Sequence, residues 1–447
     1  MPPTSSPPSS PSSSPSPLHA TTLPSPPFPS PHSITSILPS PPPFTSLAFF
    51  LSDSTALLYP SLPLLTPSLL SPPISLPSPS LPSLSTFSFI QPSNALLFLS
   101  FSSPHAPIAY HLNSHQFTPI PLQFKPDLFA SLLPFGLGLG FRVKSSQNLL
   151  AIHSVGASQI WLLFVSLREK SGAMVVELKK CAVIELVDPV FEMCVGLGCL
   201  VLGERGGVRV FPLRFMIKGG EGKGVEGTVK KGKGLVNGMV DLSANKKNGK
   251  SRTVKVKQNS GEYYSFFVSF NEGNSMKSEN RIGVPQLARA VSIHPFSKKT
   301  FMVVDSAGDL HFFDLLNNSV AGPNSQFNRV SKEFCTSQLD VAIKVRLLAV
   351  LPNFSAKAQI IWVSDEHHLL NMASVSCMES GVTDSETTEI KLTSVEILAT
   401  ETIFTSGKIQ DIVSISSSVV LVLTEGNKEL FFMLIKIFVF LTNLSLW

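Results

Sequence analysis

The pattern of apolar and polar positions is clearest over residues 288–314, ARAVSIHPFSKKTFMVVDSAGDLHFFD. An apolar run ends in a turn at His294-Pro295, a second from Thr300 to Val304 stops at Asp305, and a third opens after Gly308. Short runs rich in β-branched and aromatic residues, divided by Gly, Pro, Asp and Ser, predict strand, turn, strand, turn, strand. The pattern recurs. From Thr45 onward, SLAFFLSDSTALLYPS gives two strands joined at Ser52-Asp53-Ser54. TFSFI, ALLFLSFSS and PIAYHL come next, divided by turns at 91–94 and at Pro104-His105. GLGFRVKSSQNLLAIHSVGASQIWLLFV is a third copy, and VFEMCVGLGCLVLGERGGVRVFPLRF, with Gly206-Gly207 as its tight turn, a fourth. The 288–314 unit is the fifth. VAIKVRLLAVLPNFSAKAQIIWVSDEHHLLNMASV and KIQDIVSISSSVVLVLTEGNKELFFMLI make the sixth and seventh, and VVELKKCAVIEL and EIKLTSVEILA supply further alternating strands.

Seven copies over residues 45–442 give about 57 residues per unit, or about 50 with a basic segment near 217–260 set aside. That is the size of a four-stranded blade, and radial stacking is how repeated small sheets cover both faces. The expected fold is all-β, a seven-bladed β-propeller, with a β-sandwich or two β domains as the alternative. The 288–314 unit resembles a WD40-type blade. His294-Pro295 stands at its first turn, Ser306-Ala307-Gly308-Asp309 resembles the Asp-Gly turn, and Phe313-Asp314 stands where Trp-Asp is usual. The resemblance implies a ring that presents surfaces to other proteins.

Composition adds an arm and an insertion. Residues 1–44 are Ser and Pro with little else, so fixed φ angles and missing N–H donors predict a disordered, polyproline-like arm. The propeller is expected over 45–442 and a short C-terminal tail over 443–447. The net charge is +5, but residues 214–257 hold twelve Lys/Arg against three Asp/Glu, a local +9 that leaves −4 elsewhere. Lys230, Lys231, Lys233, Lys246, Lys247, Lys250, Arg252, Lys255 and Lys257 stud a Gly- and Asn-rich stretch with little to bury. It reads as an exposed loop. Its roles would be an import signal at KKNGKSR, contact with nucleic acid or anionic membrane, or solubilisation. Five scattered cysteines without a CxxC, and no basic n-region ahead of an apolar stretch, fit a reduced cytoplasmic or nuclear protein.

The candidate chemistry is thin. Residues 244–251, ANKKNGKS, match a permissive AxxxxGKS phosphate-loop pattern and make a nucleotide-binding protein a further alternative, but RTVKVKQNSGEYYSFFVSF stands next in the chain where a helix is needed. FGLGLGF at 135–141 lacks the third glycine of a dinucleotide fingerprint, because Phe141 stands there. Asp365-Glu366-His367-His368 between two apolar runs reads as a hairpin turn, and Asp305, Asp309 and His311 as turn formers. No catalytic, metal or cofactor site is expected. LFFMLIKIFVFLTNLSLW at 430–447 is shorter than a bilayer span and is broken by Lys436. It reads as the outer strands of a last blade, with a membrane tether as the alternative. The expected function is a monomeric, non-enzymatic scaffold for protein partners.

Overall fold

Strands that are buried at every position, such as LAFFL and TFMVVD, need cover on both faces, and the fold supplies it by setting sheets side by side. The structure is a computed structural model that describes residues 19–22, 33–61, 73–76, 79–101, 107–124, 140–217, 253–260, 264–270, 287–297, 300–315, 334–337, 344–351, 358–384, 387–416, 419–425 and 430–434. Among these residues the chain forms six four-stranded sheets and one of six strands.

Strand β1 (His19–Thr22) belongs to the last sheet. The first is β2 (Ile34–Pro39), β3 (Leu47–Leu51), β4 (Ala56–Tyr59) and β5 (Ile74–Leu76). The second is β6 (Ser85–Ile90), β7 (Ala95–Ser100), β8 (Ile108–Asn113) and β9 (Gln116–Ile120). The third takes β10 (Leu122–Phe124), β11 (Phe141–Ser146), β12 (Leu149–Ser154), β13 (Gln159–Lys170) and β14 (Ala173–Glu185). The fourth begins with β15 (Glu192–Gly196), β16 (Cys199–Glu204) and β17 (Gly207–Pro212). A single turn of helix, α1 (Leu213–Ile217), leads away from it. The chain returns as β18 (Val254–Lys257), which lies parallel to β14 in the third sheet, before β19 (Phe266–Ser269) completes the fourth. The next sheets are β20 (Ala290–Pro295), β21 (Thr300–Asp305), β22 (Leu310–Asp314), β23 (Phe334–Ser337), and β24 (Leu347–Val350), β25 (Ala358–Ser364), β26 (Leu369–Asp384), β27 (Thr387–Phe404). The last joins β28 (Ile409–Ser416), β29 (Val419–Thr424) and β30 (Leu430–Leu434) to β1.

The second strand of each sheet explains why the sheets assemble. Side chains alternate across a strand, and each second strand sends alternate residues into two different cores. In β16, Leu200 and Leu202 join the core shared with the third sheet, while Cys199 and Val201 join the core shared with the fifth. In β21, Phe301 and Val303 face back to the fourth sheet, and Met302 and Val304 face forward to β25. Trp362 of β25 packs with Val420 and Val422 of β29. Val419, Leu421 and Leu423 of β29 then meet Leu47 and Phe49 of β3, in the first sheet. The last sheet thus lies against the first, and the first strands, among them β11, β15 and β20, adjoin around the centre. This is a β-propeller, not a sandwich.

Ordered structure overruns the expected boundaries. Strands β1 and β2 fall inside the stretch 1–44 read as a disordered arm, because Ile34 and Ile37 carry apolar positions that the first sheet buries against β29. Strand β18 falls inside the loop expected near 217–260. Among the described residues the outer strand of the final sheet is the N-terminal β1, with His19 opposite Leu434; the expected outer strand IFVFL lies outside the described residues. Residues 435–447 lie outside the described residues. Leu430–Leu434 is strand, and among the described residues no helix is long and apolar enough to cross a membrane.

The junction of last and first sheets carries a half-buried acid. Asp411 of β28 accepts N–H bonds from Ile37 of β2 at 3.0 Å and from Ile412 at 2.9 Å. Burial pushes its carboxyl from 3.8 up to about 6, against those hydrogen bonds. The folded chain therefore keeps a proton that the unfolded chain releases between those values. Stability from this group rises as pH falls through 6 and is lost as pH rises through it. Relative to Asp411→Asn, the wild-type chain is expected to gain about 1 kcal/mol between pH 7 and pH 5, read by urea unfolding. A difference that stays flat across this range would exclude the titration. Gly308, in the turn between β21 and β22, has φ +87, and an added Cβ would stand 3.0 Å from Lys344 Cα. Gly308→Ala should cost about 2 kcal/mol, whereas Gly156→Ala, with nothing within 4 Å of the new Cβ, should cost far less in the same assay.

Candidate interaction surface

The strand–turn grammar puts its polar residues where the chain reverses. In the fifth sheet Asp305 ends β21, and its Oδ1 accepts the N–H groups of Ala307 at 2.8 Å and Asp309 at 3.0 Å. Its Oδ2 lies 3.0 Å from His311 Nε2, and the His311 ring stacks on Phe270 with centroids 4.2 Å apart. Burial works against ionisation of Asp305, but the hydrogen bonds from His311, Asp309 and Ala307 outweigh it and hold the carboxyl below its ordinary value. Asp305, Asp309 and His311 therefore form one turn-fixing unit, as their spacing suggested. At the turn between β25 and β26, Asp365 Oδ1 accepts from the His367 amide, Ser364 Oγ from the Glu366 amide, and His368 Nδ1 lies 3.2 Å from the Thr405 carbonyl. The Ser364, Asp365 and His368 side chains thus direct their bonding at the backbone. Among the described residues no group of three or more His, Cys, Asp or Glu could hold a metal ion.

A polar cluster also lines the centre, on the first strands of three successive sheets. Lys144 of β11 pairs with Glu192 of β15 at 2.9 Å. His294 of β20 takes a 2.6 Å hydrogen bond with Ser292. Burial, with Lys144 nearby, lowers the His294 ring to about 4, so it is neutral at physiological pH. Lys144 and Glu192 thus satisfy each other across adjoining strands, and His294 and Ser292 do so within one.

The basic segment is anchored at both ends in one place. Leu213 and Met216 of α1 and Val256 of β18 enter the same core between the third and fourth sheets. Of the nine basic residues singled out in the sequence, Lys255 and Lys257 lie on β18 as exposed neighbours of the buried Val256. Lys230, Lys231, Lys233, Lys246, Lys247, Lys250 and Arg252 lie outside the described residues, as does the phosphate-loop match at 244–251. The next described element after that match is the strand β18.

A cluster that periodicity did not mark adjoins this anchor. Glu204, at the end of β16 and only 4% exposed, takes both nitrogens of the Arg209 fork, at 2.7 and 3.1 Å. Gln258, immediately after β18, donates to the same carboxylate at 2.8 Å and accepts from the amides of Val187 and Asp188. The Arg209 guanidinium lies 5.2 Å over the ring of Phe267, its cross-strand partner on β19. Gly207 permits that approach, since a Cβ there would stand 2.1 Å from the Val268 carbonyl oxygen. Arg205 and Arg289 form a backbone bridge between the fourth and fifth sheets, and Arg289 lies 5.2 Å over Phe191. Asp188, Pro189, Phe191, Glu204, Arg205, Arg209 and Phe267 line an open cleft of about 430 Å³, with Arg289 adjoining it over Phe191. Only the turn at Gly206-Gly207 was visible in the sequence. Gln258 reaches Glu204 from 54 residues away, beyond any local pattern.

No family model matches the chain, and no curated protein does. Among solved structures it is similar to the β-propeller domain of Cps50 (Swd1) from Myceliophteria thermophila, at 9% identity, covering 92% of this chain and 98% of that one, with a TM-score of 0.45. It is also similar to BamB from Moraxella catarrhalis, at 8% identity, 90% and 85% coverage and a TM-score of 0.39.

Removing one partner from a buried ion pair leaves an uncompensated charge. Glu204→Ala is therefore expected to cost about 3 kcal/mol in urea unfolding, and the double change Glu204→Ala/Arg209→Met to recover part of it. No recovery would mean that the pair contributes packing alone.

Proposed function

We propose that the chain is a non-enzymatic protein-interaction scaffold, a closed ring of seven blades with each sheet counted as one blade. The observation that carries the ring is the shared core of β29 with β3, because it leaves neither end of the row of sheets open. The scaffold reading rests on what the polar clusters do. The acids and histidines that could have been chemical groups hold turns, as at Asp305 and Asp365, or pair with each other, as at Lys144 and Glu192. Among the described residues these clusters serve the frame, and in this reading function lies in what the frame displays.

In this reading residues 218–252 are displayed from the third and fourth blades by α1 and β18, and their positive charge adds attraction for acidic partners. The arm ahead of β2 and the ring act as one chain, and the ring is a monomer. A chain in which a short Gly-Ser linker replaces 218–252 should unfold at the same urea concentration as the intact one, because the anchoring residues stay in place. In affinity purification from cells, the intact protein should bring down proteins that the shortened chain loses or holds less well. If the intact chain recovers nothing above a tag-only control, the scaffold reading fails. If the shortened chain recovers every partner unchanged, the segment is a solubilising insertion.

A further inference from the structure

The row of arginines at one end of the fourth, fifth and sixth sheets lacks an assigned role. Arg205, Arg289 and Arg346 are all exposed. Hydrogen bonds tie them in sequence. Arg205 bridges Arg289, the Ser306 amide donates to the Arg289 carbonyl at 2.7 Å, and Arg346 Nη1 donates to the Ser306 carbonyl at 3.2 Å. The rigid turns at Gly206 and Gly308 hold this row. Among the described residues no carboxylate pairs with any of the three. Arg209 differs, because Glu204 neutralises it and makes it part of the floor.

We propose that this row, ending in the cleft beside Phe191 and Phe267, binds a short acidic peptide segment of a partner protein, an inference that rests on the scaffold reading and gives the partner's chemistry. The volume of about 430 Å³ fits a few side chains and not a folded domain. Guanidinium forks without a carboxylate partner, as at Arg205 and Arg289, suit carboxylates, taking them with two parallel hydrogen bonds. One face of each phenylalanine ring is already covered by a guanidinium, Arg209 on Phe267 and Arg289 on Phe191. The rings therefore stiffen the arginines and are poorly placed to stack bases. Asp188 on the cleft wall would repel a continuous phosphate backbone, whereas a peptide can place an apolar residue beside it.

The test uses the full chain and a short fluorescein-labelled peptide of repeated Glu-Glu-Phe, with repeated Lys-Lys-Phe and a single-stranded oligouridine as comparisons. The acidic peptide should bind, and Arg205→Glu/Arg289→Glu should weaken it about tenfold or more. Arg205→Gln/Arg289→Gln gives the same reading in a milder variant, and unchanged urea midpoints show that both fold. Removal of 218–252 should leave the peptide affinity within about twofold of the intact chain's. The proposal is overturned if the arginine variants bind as well as wild type, if affinity vanishes with 218–252 instead, or if oligouridine binds the same arginines more tightly. In affinity purification, partners retained by a double variant that no longer binds peptide would sink the proposal and leave the scaffold reading standing.

Discussion

Everything in this protein depends on sheets that are apolar on both faces. A strand such as β16, whose alternate residues belong to two cores, cannot stop at an open end without exposing one of them to water. At roughly 25 cal/mol for each Å² of apolar surface, an uncovered sheet face costs far more than the few kcal/mol by which a domain is stable. A row of such sheets must therefore be capped or curl until its ends meet. Here Leu421 and Leu423 of β29 meet Leu47 and Phe49 of β3, and the ends cover each other.

The same constraint sorts the rest of the chain into what is held and what is free to vary. Five of the second strands are buried along their whole length, and their composition is narrow: ALLFLS, LLAIHS, CLVLGE, TFMVVD, VVLVLT. Polar residues collect at turns, where Asp305, Asp365 and Asn148 supply the backbone with partners that the ladders do not. Insertions are tolerated where both ends return to one core, which is how α1 and β18 carry a long segment out of the fourth sheet without opening it. Elongation is tolerated too, since β26 and β27 run to 16 and 18 residues beside strands of five or six.

These constraints account for how much of the fold could be read in advance. Local grammar showed the strands, because runs such as TFMVVD and their Asp, Gly and Asn turns are contained within a dozen residues. The turn role of Asp305, Asp309 and His311 was legible for that reason. Pairings between distant segments were not. His19 opposite Leu434 closes the last sheet with a strand from the other end of the chain, and its HATT sequence lies within Pro/Ser-rich surroundings. The β strand VKVK was hidden among lysines, although its alternation of Val and Lys is the signal of a strand with one buried face. Ile34 and Ile37 show why the first ordered strand was placed too late: two isoleucines between prolines are weak local evidence, and they acquire meaning only against β29.

The cleft beside Glu204 belongs to the same class of feature. Each component is ordinary in sequence: a glutamate at a strand end, a glutamine after a basic stretch, an arginine opposite a phenylalanine. Their arrangement needs three segments that meet only because the sheets are forced side by side, with Gly207 removing the one Cβ that would hold β19 away. A buried carboxylate bound by Arg209 and Gln258 is costly to assemble for stability alone, since apolar residues would fill the same space at lower desolvation cost. What it does secure is the orientation of Arg209 and the backbone at Val187 and Asp188, and with them the walls of the cleft. The stacking that closes the ring thus also fixes a surface whose exposed arginines are left to meet charge from outside.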